Sequence, residues 1–221
     1  MATRLYPYVA AGNDPDVSPA FDAIWDSTSV VRVRRLYLDT RPNTLSAFVL
    51  KIDDIAAPAY HLLWQFVSEP LDAISATFAV SKAAFKTLES NAKVNGYTHI
   101  VFRKCDSDGG NPVTIGSITD DTEFGTVSTN RFVGASNLTD QALSQSDRLI
   151  VEVGYWANNS KTTDYYAYVA VKDNHASTDL PENDTETAEY NSWIETGDTF
   201  TEASGDPPAE VVKLGPMFAF A

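Results

Sequence analysis

The sequence predicts an all-β chain, an antiparallel β-sandwich of jelly-roll type with extended N- and C-terminal arms. Three observations carry the prediction. Apolar residues recur with a period of two, the pattern of strands with one buried face. Turn residues fall between these runs. About ten such runs of similar length follow one another, as in sandwiches and jelly rolls. With 221 residues, 43% of them hydrophobic, the chain is long enough to bury one sizeable core.

The elements follow in order. Pro7, Pro15 and Pro19 lie among Gly12, Asn13, Asp14 and Asp16, so residues 1–28 read as an extended lead-in. Strands are expected over 30–38 and 44–51. Leu62, Trp64 and Phe66 alternate about Gln65, and Ile74, Ala76, Phe78 and Val80 alternate with Ser75 and Thr77. The Ala-rich stretch 81–94 admits a helix, with Ala84, Phe85, Leu88 and Ala92 near helical spacing. Phe85, Thr87 and Glu89 can instead continue a strand alternation, and a long strand into a turn is the reading adopted. Asn95-Gly96 precedes a strand containing Ile100 and Phe102. Asp108-Gly109-Gly110 reads as a hairpin turn into a strand over 112–118. Leu149, Val151, Val153 and Tyr155 oppose Ile150, Glu152 and Trp156, and 165–171 is aromatic and β-branched. A last strand is expected within 191–201. The sandwich domain therefore spans 29–201, and 202–221 forms a C-terminal arm with Gly205, Pro207, Pro208, Gly215 and Pro216.

Composition narrows the functional classes. The 16 Lys and Arg against 30 Asp and Glu give a net charge of −14, which disfavours nucleic acid as a partner. No apolar stretch reaches membrane-span length, so no membrane partner is expected. The single cysteine, Cys105, excludes an internal disulfide. His61, His99 and His175 show no zinc spacing, and no nucleophile elbow or phosphate loop is present. The acid pairs Asp53-Asp54 and Asp120-Asp121, with Glu123 nearby, are the only glycosidase-like carboxylates. Asp106, Asp108 and Asn111, and the cluster Asp179, Glu182, Asn183 and Asp184, are fragments of an oxygen-ligand loop without the full calcium pattern. The expectation is a protein without catalytic residues, metal or cofactor.

Two features point to interaction instead. Basic residues concentrate early, at Arg4, Arg32, Arg34, Arg35, Arg41 and Lys51, while 173–212 holds acids and no Lys or Arg. These charges either pair within the chain or meet across copies, Arg32 and Arg34 being the candidates for such contacts. The C-terminal arm cannot be a regular helix or a central strand, yet it holds Val211, Val212, Leu214, Met217, Phe218 and Phe220. A free tail is normally poor in such residues. Val211, Leu214, Met217, Phe218 and Phe220 are therefore candidates for docking, on a neighbouring subunit or on the arm's own domain.

Several segments, in this order, resemble a diffuse family of β-rich virion structural proteins of tailed bacteriophages. They are Met1-Ala2-Thr3-Arg4-Leu5-Tyr6-Pro7, Val17-Ser18-Pro19-Ala20 with Trp25, and Gln65-Phe66-Val67-Ser68-Glu69-Pro70-Leu71. Glu89-Ser90-Asn91-Ala92, Asp147 to Gly154, Asp179 to Thr185, and Asn191 to Glu195 follow. The resemblance covers roughly residues 1–196 and supports a strand at 81–91. It implies a non-enzymatic virion component assembled in the host cytoplasm. The expected role is decorating or cementing the outside of the capsid, with the major capsid protein and further copies of itself as partners, as a homo-oligomer, by analogy a trimer. The alternative is a tail, baseplate or fibre module that binds host-surface carbohydrate through exposed aromatics, with Trp156, Tyr165, Tyr166 and Tyr168 as candidates.

Overall fold

The computed structural model describes residues 3–9, 14–26, 31–38, 47–52, 58–76, 78, 81–134, 138–158, 165–172 and 178–203. Among them there is no helix, and therefore none long and apolar enough to cross a membrane. The strands are β1 (Thr3–Pro7), β2 (Arg32–Leu38), β3 (Ala47–Ile52), β4 (Ala59–Ser68), β5 (Ile74–Ala76), β6 (Lys82–Glu89), β7 (Gly96–Cys105), β8 (Val113–Glu123), β9 (Thr129–Val133), β10 (Gln141–Leu143), β11 (Arg148–Ala157), β12 (Ala167–Lys172) and β13 (Trp193–Thr196).

Their pairing has one simple logic. Six antiparallel pairs are nested in sequence: β7–β8 innermost, then β6–β9, β5–β10, β4–β11, β3–β12 and, outermost, β1–β13. The chain is one long hairpin whose tip is the turn after β7. There the Asp106 N–H bonds Gly110 O, the Gly109 N–H bonds Asp106 O, and Gly109 sits at φ +85°. Glycine takes that left-handed conformation without steric cost. The long hairpin then rolls up. β11 pairs along its whole length with β7, and β6 receives β12 at Lys86–Glu89 and β13 at Lys82–Ala84. The result is a sandwich-like arrangement compatible with a jelly roll, in which β3-β12-β6-β9 and β4-β11-β7-β8 are the two halves of one 11-stranded sheet. On one side β13, β1 and β2 make the path between the sheets continuous, with β2 joining β4 in parallel.

Between the sheets lies the main core, with Phe66 and Phe102 from one sheet and Phe85 and Val169 from the other. The fully buried Trp64 reaches across, its indole Nε1 donating to Val169 O at 3.0 Å. Alternation placed these residues correctly, and the stretch 82–89 is a strand entering a turn.

Three differences from the sequence reading have a common cause. Thr3–Pro7, inside the expected lead-in, is a strand between β13 and β2. β9 and β10 carry too few apolar residues to show a period, and exist because β6 and β5 offer open edges. The rest of the lead-in, 14–26, lacks regular structure but lies against its own sheet. Glu152, fully buried on β11, accepts from the Trp25 indole Nε1 (2.6 Å), the Asp22 N–H (3.2 Å), Gln65 Nε2 (3.0 Å) and Arg103 Nη1 (2.9 Å). Arg103 Nη1 also donates to Ala20 O at 2.6 Å. A buried carboxylate is tolerated because it is paired and saturated with donors.

Candidate functional site

The interaction residues expected from sequence separate into two groups. Val211, Leu214, Met217, Phe218 and Phe220 lie outside the described residues. Arg32 and Arg34 sit on β2 and line a groove of about 450 Å³ with Asp14, Asp16 and Val17. Arg34 is paired there with Asp14. Arg35 pairs with Glu69 at 2.7 Å, and Arg4 with Asp179 (2.9 Å), Glu182 and Glu195 (both 3.1 Å). For Arg4, Arg34 and Arg35 the polarised charge is thus matched within the chain.

The oxygen-rich segments are occupied by protein donors. Asp179 also accepts from Tyr6 Oη (3.0 Å), and Glu182 from Lys82 (2.8 Å); the Lys82 hydrogen bond holds the Glu182 carboxyl below its usual range. Asn183 and Asp184 serve the backbone of the same segment and of β9. At the hairpin tip Asp106 accepts from Asn111 Nδ2 at 2.7 Å, and Asp108 from the Gly110 N–H at 2.9 Å. No group of three or more His, Cys, Asp or Glu among the described residues is arranged to hold a metal ion.

Burial sets the protonation of the other titratable candidates. It pushes the Cys105 thiol up to about 11, leaving it neutral, and holds His61 below its usual value and His99 at about 4. Asp120 is raised to about 6 by burial and then by Asp184. Glu89, 1% exposed at the end of β6, was not singled out from sequence as a site. Its Oε2 accepts from the Gly96 N–H at 3.1 Å, and its other oxygen has no donor and lies against the Glu123 carboxylate. Burial, with Glu123 adding to it and the Gly96 N–H opposing, raises this carboxyl to about 7.

The aromatic candidates divide. Tyr165 packs against the main core, and Tyr166 and Tyr168 are half-buried beside and on β12. Trp156 is different because register gives it company. On β11 it stands directly opposite Tyr60 of β4 on one side and Tyr97 of β7 on the other. Directly paired residues point to the same face of a sheet, here the outer one, since Tyr155, His61 and Thr98 next to them are buried. All three row residues are half-buried. The Trp156 and Tyr60 rings lie 4.6 Å apart, tilted by 34°, and Tyr60 rests on His99 at 4.5 Å. His99 is fixed beneath the row by Thr119 Oγ1 at 2.8 Å. Asp26, whose carboxylate accepts the Tyr60 N–H at 3.0 Å, stands at one end. Glu123, paired with Tyr97, stands at the other, and the Asn158 N–H bonds Asn95 O nearby. Sequence reasoning found Trp156 but not Tyr60 or Tyr97. Their only sequence signal is a place on the polar phase of their strands.

No protein-family model matches the chain, and no curated protein matches it. Among solved structures, it is similar to an aminopeptidase from the marine sediment archaeon Thaumarchaeota archaeon, at 11% identity and TM-score 0.40 over 78% of this chain. It is similar to Eiger TNF from S. frugiperda at 11% identity and TM-score 0.27, over 64% of this chain and 96% of that one. It is similar to a chain of infectious bursal disease virus, Gt strain, at 12% identity and TM-score 0.30 over 92% of this chain. The chain spans 36% of the aminopeptidase and 52% of the viral chain.

Proposed function

We propose that this chain is a non-enzymatic structural protein of a tailed-phage virion that decorates or cements the outside of the capsid. The single observation that carries the reading is how the two chain ends are built into the body. The outermost nested pair, β1–β13, places the N-terminus within the sheet. Beyond β13 the chain is held where Leu71 pairs with Glu202 and the Ala203 N–H bonds Pro70 O at 2.8 Å. Residues 204–221, with their five apolar candidates, follow that fixed point in the sequence. Ends fixed to the body suit a surface decoration, and the resemblance of the ordered sequence segments to β-rich virion proteins supports the reading further. On this reading the partners are the major capsid protein and other copies of the chain, assembled in the host cytoplasm, with a trimer expected by analogy alone.

The test has two parts. A density map of the particle is expected to show the body on the outer capsid surface; density confined to the tail overturns the cement role. Truncation after Glu202 is expected to leave a folded domain that no longer attaches or assembles. A truncated protein that still attaches overturns the tether.

A further inference from the structure

We propose that Glu89, Glu123, Asn95 and the Ala92 carbonyl form a calcium-binding site, where the turn between β6 and β7 meets the end of β8. The inference does not depend on the virion reading. Four oxygens from three segments converge there. Glu89 Oε1 is buried, accepts no hydrogen bond and faces the Glu123 carboxylate. The Asn95 side-chain oxygen faces only acceptors, Glu123 Oε1 at 3.0 Å and Ala92 O at 3.2 Å. Such oxygens repel at these distances unless a proton or a cation lies between them. One shared proton bridges the two carboxyls, but it leaves Asn95 Oδ1 against Ala92 O, and neither carries a hydrogen. A cation satisfies all four. Ligands at about 2.3–2.6 Å from calcium stand about 3 Å from one another, the spacing found around Asn95 Oδ1.

The local chain sets this arrangement. Asn95 takes φ +48°, a left-handed conformation that asparagine tolerates. Its amide nitrogen is turned the other way, toward Asn158 O at 3.4 Å, which leaves the oxygen for the site. Glu89 is anchored by the Gly96 N–H on Oε2 at 3.1 Å, and its own N–H bonds Gly125 O at 3.0 Å. Arg131 also lies near, its Nε donating to Glu123 O at 3.0 Å and its Nη1 to Asn130 O at 3.2 Å. Two carboxylates and this guanidinium together carry one net negative charge, which a cation offsets. The ligand set is oxygen alone, two carboxylates with a neutral amide and a main-chain carbonyl, which suits a hard cation and not zinc or copper. Glu123 and Asn95 are half-buried, so water reaches the site and completes the roughly six to eight ligands of calcium. Magnesium fits less well, because it demands near-ideal octahedral geometry.

The experiment uses the full chain, freed of metal with EDTA and dialysed, at pH 8, where a proton competes least. Isothermal titration with calcium chloride is expected to show one saturable site with Kd of about 0.1–1 mM. Calcium at about 10 mM is expected to raise Tm by about 3–7 °C. Terbium, sensitised by Tyr97 directly opposite Glu123, is expected to luminesce and to be displaced by calcium. Binding is expected to weaken by about tenfold or more in Glu123→Gln and in Asn95→Ala. It is expected to stay within about twofold of the parent in Asp108→Asn, at the hairpin tip. Circular dichroism of each variant checks folding. Absence of saturable calcium binding by the parent at about 10 mM overturns the proposal and leaves the pair bridged by a proton. Unchanged binding in folded Glu123→Gln and Asn95→Ala overturns it too, as does an equal loss in Asp108→Asn, which makes the uptake a diffuse effect of net charge.

Discussion

Replacing Glu89 with glutamine tests the acid pair at the end of the sandwich. The folded carboxyl keeps its proton up to about pH 7, whereas its ordinary value is 4.5. Between those limits the folded chain binds more protons than the unfolded one. The stability that the protonated carboxyl contributes is therefore complete below pH 4.5, falls as pH rises, and is gone above about pH 7. At 1.36 kcal/mol per pH unit the interval corresponds to about 3 kcal/mol. Glutamine is nearly isosteric. Its oxygen can accept the Gly96 N–H and its amide can donate to Glu123, reproducing the protonated state at every pH. Glu89→Gln is thus expected to match the parent at pH 4.5 and to exceed it by about 3 kcal/mol at pH 8, or about 6–12 °C in Tm for a chain of this size. Urea unfolding at both pH values gives the measurement. The buried His61 and His99 act in the opposite sense, losing stability as pH falls below their unfolded value of 6.5. They cancel in the difference between variant and parent, so the difference is the quantity to follow. A Glu89→Gln variant less stable than the parent at pH 8 refutes the reasoning.

Two further perturbations address the framework. Glu152→Ala leaves the buried Arg103 guanidinium and the Trp25 and Gln65 donors without their shared acceptor. A loss of about 3–5 kcal/mol is expected by denaturant unfolding, with release of the 19–25 segment seen as faster amide exchange. Gly154→Ala places a methyl group 1.9 Å from the His61 carbonyl oxygen at the register shift between β4 and β11. The backbone must move to admit it, so a loss of at least about 3 kcal/mol or failure to fold is expected in expression and thermal-melt assays.

Local chemistry made much of this chain legible in one dimension. The alternation in 149–156 marks a strand because consecutive side chains point to opposite faces, whereas in 62–66 a register shift turns Leu62 to the cluster of Trp25 and Val101 while Trp64 and Phe66 face the main core. Asp108-Gly109-Gly110 marks the hairpin tip because only glycine takes φ +85° without cost. Other features depend on which strands meet. β1 and β9 lack a pattern of their own and are strands because β13, β2 and β6 offer them hydrogen bonds. The Glu152 carboxylate looks like any solvated acid until the lead-in brings Trp25 and Asp22 over it from more than a hundred residues away. Trp156 can be picked out as an aromatic, but the row needs Tyr60 and Tyr97 in register on either side. The amino-acid order by itself determined where strands and turns fall and which face of the longer strands is apolar, since those follow from each residue's own geometry and solvation. Pairing partners, the docked lead-in and the aromatic row were decided only by the tertiary structure, because they rest on the rolling of one long nested hairpin into two facing sheets.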